Sequence, residues 1–156
     1  MLIVERYVAG IFHTEEILAY VDAKLNEGVW SEVFLEILDC EYEGWADISL
    51  LFEKYLTEIG IDIPDLETAV RRLVEYHIAT IASGVVISYE QFKIMLQEID
   101  AYDYFSKTKN YVGDDLGIHH MYGWYYEDCA TVHEVNQGIL EGAKEWVSKY
   151  AKNTNK

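Results

Sequence analysis

The chain has 156 residues, with 28 Asp and Glu against 12 Lys and Arg and a formal net charge of −16. That length suits one well-buried core better than two, and an aromatic content of 14% with a single Pro rules out a disordered acidic tail. With no basic stripe to neutralise phosphates, nucleic acid is a poor partner.

Taken in chain order, Leu2 to Phe12 mix Ile, Val, Tyr and Phe with one Gly, a pattern that suits a short strand as well as a leading helix. A helix is expected from about Thr14 to Glu27, stopping at Gly28. Trp30, Val33, Phe34, Ile37 and Leu38 recur at helical spacing, and so do Ile48, Leu51, Phe52, Tyr55, Leu56 and Ile59. Asp47 reads as the N-cap of the latter helix and Gly60 as its C-terminal stop. Beyond Pro64, suited to a first helical turn, Leu66, Val70, Leu73, Val74, Ile78 and Ile81 mark a fourth helix that Gly84 closes. Ser88 with Gln91 reads as a capping box and Ile87 with Phe92 as a hydrophobic staple, opening a helix from about Tyr89 to Ile99. Residues Tyr102 to Tyr126 are dense in Tyr, Gly and Asp and read as a long loop, with a weak helical pattern near Leu116 to Tyr125. Thr131 with Glu134 makes a second capping box, before a helix carrying Val135, Ile139, Trp146, Val147 and Tyr150. The expectation is an all-α protein: one irregular bundle of about six helices over residues 1–156, with 150–156 a frayed tail.

Cys40 and Cys129 form no C-x-x-C or comparable pair, which fits a reducing cytoplasm and implies neither disulfide framework nor zinc site. The apolar start meets Glu5 too soon for a signal peptide. Ile78 to Ile87, the longest nearly apolar stretch, covers about half a membrane span and is broken by Ser83-Gly84. A soluble cytoplasmic protein is expected, with no membrane partner and no cofactor.

The charge is uneven. Residues 1–106 hold 21 acids and 6 bases, whereas 107–156 hold 7 and 6. Glu32, Glu36 and Asp39 stack at i, i+4 and i+7 opposite an apolar stripe, where like-charge pairs cost about 0.2–0.5 kcal/mol each. A net charge of −16 also exceeds the magnitude of about 2–8 that solubility asks of a small domain. Both facts point to a basic partner.

Tyr and Trp supply contact area at low entropic cost, and here they sit among carboxylates in three places. The first runs from Asp39 to Asp47, the second from Asp100 to Phe105 and the third from Tyr122 to Asp128. From these, Asp39, Glu41, Tyr42, Glu43, Trp45, Tyr102, Asp103, Tyr104, Tyr125, Tyr126, Glu127 and Asp128 form the expected partner-binding set. The alternative for each cluster is that its rings pack into the core with only their polar tips wet.

An enzyme reading rests on Asp115 and His119, at i and i+4, which on one helix face offer a carboxylate and an imidazole to a metal ion. No third ligand is fixed by spacing, and G-x-S-x-G, P-loop and G-x-G-x-x-G motifs are absent. His77 lies beside an apolar stripe and reads as a hydrogen-bonded structural histidine.

The segment Tyr125-Tyr126-Glu127-Asp128, with the acidic helical character of the whole, resembles the paired-tyrosine recognition element of helical immunity proteins against DNase bacteriocins. That resemblance implies a cytoplasmic immunity protein that neutralises a basic toxin domain, a nuclease first of all, by occluding it. Two rival readings are a small metal-dependent enzyme using Asp115 and His119, and a DNA-mimic inhibitor, for which a long regular carboxylate array would be expected.

Overall fold

A computed structural model of the chain describes residues 2–40, 44–105 and 110–150, with the side chains of 103–105 left out of the description. Its described elements are ten helices, with no strand among the described residues. All six expected helices are present. The other four are short: α1 (Ile3–Val8), α7 (Asp100–Phe105), α8 (Val112–Asp115) and α9 (His119–Tyr125). By its internal contacts the chain divides into two compact units, residues 1–65 and 66–156.

The first unit contains α1, α2 (Thr14–Asn26), α3 (Glu32–Asp39) and α4 (Trp45–Glu58). The β-branched residues near the N-terminus favour a strand only where a neighbouring strand supplies partners. Here the backbone closes on itself: Ala9 N–H donates to Glu5 O and Ile11 N–H to Arg6 O, across a Gly10 at φ 75°. Phe12, Ile17, Val21, Phe34, Ile37, Ile48, Phe52 and Leu56 are buried together. Phe52 meets Tyr7 edge-on with centroids 5.2 Å apart, and Phe34 meets Tyr55 at 4.6 Å. Each such ring contributes about 1.5–3 kcal/mol through the water it leaves. The N-cap of α4 is Gly44 rather than Asp47, which falls inside the first turn where its charge suits the helix dipole.

The second unit contains α5 (Leu66–Ala82), α6 (Ser88–Glu98), α7, α8, α9 and α10 (Val132–Tyr150), with α10 packed on α5, α6 and α9. Close approach of α9 and α10 depends on two glycines one turn apart. A Cβ at Gly138 would strike the Trp124 indole, and one at Gly142 would come within 2.8 Å of the Met121 side chain. The Trp146 indole N–H donates to Leu116 O at 2.9 Å, fixing the far end of α10 to the α8–α9 connection. Thr131 and Glu134 form both arms of the expected capping box: Thr131 N–H donates to the carboxylate at 2.8 Å and Glu134 N–H to the hydroxyl at 3.3 Å.

The other expected capping box does not form. The N-cap of α6 is Ile87, 64% exposed rather than stapled to the buried Phe92, while Ser88 is itself buried. Gln91 turns inward, where its Nε2 lies 2.6 Å from His77 Nδ1, and His77 Nε2 lies 2.9 Å from Glu98 Oε2. A buried imidazole nitrogen left without a partner costs more than an exposed cap left unmade, so the glutamine goes to His77 Nδ1. The structural reading of His77 holds.

Candidate functional site

In the second unit, the start of α7 is brought against the end of α9. Leu96, Asp100 and Tyr126 line two adjoining clefts of about 330 and 200 Å³. Lys93, Gln97 and Tyr125 complete the larger; Ile99, Tyr111, Val112 and Tyr122 complete the smaller. Tyr122 and Tyr126, one helical turn apart, lie nearly parallel at 13° with centroids 6.0 Å apart, and Tyr111 sits 5.5 Å from Tyr122. Tyr125 stacks on Tyr89 at 4.9 Å and leans on the buried Phe92. Burial first, and then its hydrogen bond with Tyr89, hold the Tyr125 hydroxyl above the usual phenol range. It stays neutral throughout the physiological range.

The wall therefore has two parts with different duties. Tyr125 is half-buried and anchors the end of α9, whereas Tyr126 keeps 66% of its surface in water. Beside them Glu127 and Asp128 are exposed, with the Glu127 carboxylate accepting from Cys129 N–H at 3.2 Å to shape the turn. Asp100 is exposed at the cleft mouth, and it carries no ion pair among the described residues.

The predicted binding residues separate under this geometry. Tyr125, Tyr126, Glu127 and Asp128 lie together. Tyr102 is a correction: at 1% exposure it belongs to the core, and its hydroxyl has no hydrogen-bond partner among the described residues. Asp103 and Tyr104 have side chains outside the description, and Glu41, Tyr42 and Glu43 lie outside the described residues altogether. In the first unit Asp39 is exposed, and Trp45 is part-exposed, with its ring 5.9 Å from Tyr7 and 6.1 Å from His13. Lys54 reaches Glu36 at 2.7 Å and so relieves part of the stacked charge on α3.

Sequence reading missed Tyr89 and Tyr111 as parts of the wall, whereas Tyr122 and Asp100 lay inside its clusters but outside the expected binding set. For Tyr122 the signal was present: it precedes Tyr126 by four residues in a weakly helical stretch. Tyr89 and Tyr111 come from distant segments, and nothing local marks them.

The residues proposed for a metal part company. His119 faces Asp114, at 3.6 Å, while Asp115 accepts from Asn110 Nδ2 at 2.9 Å and its carbonyl from Arg71. Among the described residues no three His, Cys, Asp or Glu side chains converge on a point suited to a cation. Nor is any described helix long and apolar enough to cross a membrane. No disulfide joins Cys40 and Cys129.

Comparison with known proteins finds no family model, curated protein or solved structure that matches this chain.

Proposed function

We propose that this protein is an acidic binding protein that occludes a basic protein partner, and that the partner is a bacterial toxin domain, a nuclease first of all, against which it confers immunity. The observation that carries the reading is Tyr126. A large ring kept two-thirds in water, on a wall of four further tyrosines and beside Asp100, Glu127 and Asp128, supplies the rigid contact area that a protein partner uses.

Charge supplies the approach. Residues 1–65 hold 15 acids and three bases, a net of −12, against 13 acids and nine bases in residues 66–156. A nuclease cleft, built to attract phosphates, is drawn to such a field, and association is quickened above the unsteered range of about 10⁵–10⁶ M⁻¹s⁻¹ at low salt. The rings then hold the complex by excluding water. In this division of labour, acids set how often the partners meet and tyrosines how long they stay.

Co-expression with basic toxin domains, beginning with the one encoded nearest its own gene, tests the reading. Restored growth together with a complex that survives gel filtration supports it. Growth arrest unrelieved by this protein, with no complex formed across the panel, overturns it.

A further inference from the structure

We infer that the smaller cleft, between Tyr111, Tyr122, Tyr126 and Asp100, is a receptor for a single arginine side chain of the partner; this rests on the protein-binding function proposed above.

Several features of the cleft converge on that occupant. Three phenol rings line it, two nearly parallel and the third tilted by 57° to its neighbour, and a phenol ring attracts a cation to its face. The apolar side chains of Leu96, Ile99 and Val112 complete the lining and suit an aliphatic stem. One carboxylate, Asp100, stands at the edge with no cationic partner among the described residues. Among the described residues no base lines this cleft; Lys93 lines the larger one, on the other side of their shared residues Leu96, Asp100 and Tyr126. Among the described residues, then, a cation approaching the smaller space from solvent meets a carboxylate and no competing base.

Guanidinium suits the site better than ammonium. It is planar and stacks on a ring, it is weakly hydrated and so loses little on leaving water, and its forked N–H groups can serve a carboxylate while the plane lies on tyrosine. A lysine ammonium is a compact, strongly hydrated ion that gives up more. The cleft volume of about 200 Å³ accommodates one such head and not a folded segment. A basic toxin domain presents arginines for phosphate, and one of them would be taken here.

The test uses isotope-labelled full-length protein titrated with N-acetyl-arginine-methylamide, with the citrulline analogue as a neutral isostere and the lysine analogue as a second cation. Saturable chemical-shift changes at Tyr111, Tyr122, Tyr126 and Asp100 in the millimolar range are expected for arginine, with weaker ones for lysine and none for citrulline. Tyr126→Leu and Asp100→Asn should each weaken the arginine response about tenfold while leaving the remaining spectrum in place. Equal responses to arginine and citrulline, or arginine shifts confined to other surfaces, overturn the inference. That failure is separable from failure of the parent reading: a toxin domain still bound and neutralised by the Tyr126→Leu and Asp100→Asn variants would remove the arginine receptor and keep the immunity function.

Discussion

Glu98 Oε2 lies 2.9 Å from His77 Nε2, and on the other side of the same ring Gln91 Nε2 lies 2.6 Å from Nδ1. An amide nitrogen can only donate, so Nδ1 must accept, and the proton of a neutral ring sits on Nε2 and is given to the carboxylate. This one relationship fixes the tautomer. Long-range proton–nitrogen spectra of labelled protein should show Nδ1 as the unprotonated nitrogen. Glu98→Ala should lower stability by about 1–3 kcal/mol in urea unfolding, since it strands a buried N–H.

Gly138 and Gly123 should respond in opposite ways to the same substitution. Both lie inside helices, where alanine is favoured by about 0.5–1 kcal/mol. A Cβ at Gly123 meets nothing within 4 Å, so Gly123→Ala should stabilise by that amount. A Cβ at Gly138 runs into the Trp124 indole, and Gly138→Ala should destabilise by about 1–3 kcal/mol as α9 is pushed away. Thermal unfolding of the two variants side by side decides the matter, and it is the difference in sign that carries the claim.

The contrast also shows what the sequence could and could not reveal. Helical spacing and stops such as Gly28, Gly60 and Gly84 were legible because they depend on residues within one or two turns; each of these glycines has φ between 73° and 79°. The Thr131–Glu134 cap was legible for the same reason. Ser88–Gln91 has similar spacing and failed, because His77, fourteen residues away, competes for the glutamine. Of the four short helices, α1 was one of two open readings of its segment and α9 showed only a weak pattern, while α7 and α8 were not legible. Those of four to seven residues carry too few turns for a period to emerge, and they persist through packing rather than propensity. The aromatic wall was half visible: Tyr125 and Tyr126 are adjacent in sequence, but Tyr89 and Tyr111 join them only through the fold.

Tyr102 provides a test of which rings serve the core. Its hydroxyl is buried without a partner among the described residues, and removal of such a group leaves a buried ring with nothing unsatisfied. Tyr102→Phe should therefore be neutral or stabilising by about 1 kcal/mol, whereas Tyr102→Ala should cost about 3–5 kcal/mol through the cavity it opens. Chemical denaturation measures both. A loss of partner binding in Tyr102→Phe, with stability retained, would return this ring to the recognition surface.

The Thr131–Glu134 cap predicts a specific pH response. The Thr131 backbone N–H and then its hydroxyl donate to the Glu134 carboxylate and hold its pKa below the usual glutamate value. A carboxyl whose folded pKa lies below its unfolded one contributes stability that is present above the unfolded value and is lost as pH falls through the folded one. Glu134→Gln should remove this part of the acid dependence, and the carboxyl carbon resonance of Glu134 should titrate at a lower pH than those of exposed glutamates without such a partner.

Charge and ring should separate kinetically in any complex with a basic toxin domain. Neutralising Glu32 and Asp39, exposed on α3 and without the Lys54 partner that Glu36 has, should slow association by a few-fold at low salt and flatten its dependence on ionic strength. Dissociation should hardly change, because exposed, salt-screened charges act mainly on encounter. Tyr126→Ala should behave in the reverse way. An anchor worth about 2 kcal/mol corresponds to roughly thirtyfold faster dissociation, with the association rate nearly preserved. Surface plasmon resonance across a series of salt concentrations reads both rates for each variant. An association rate indifferent to salt would mean that the net charge of −16 serves something other than encounter, and a dissociation rate indifferent to Tyr126 would move the contact away from the aromatic wall.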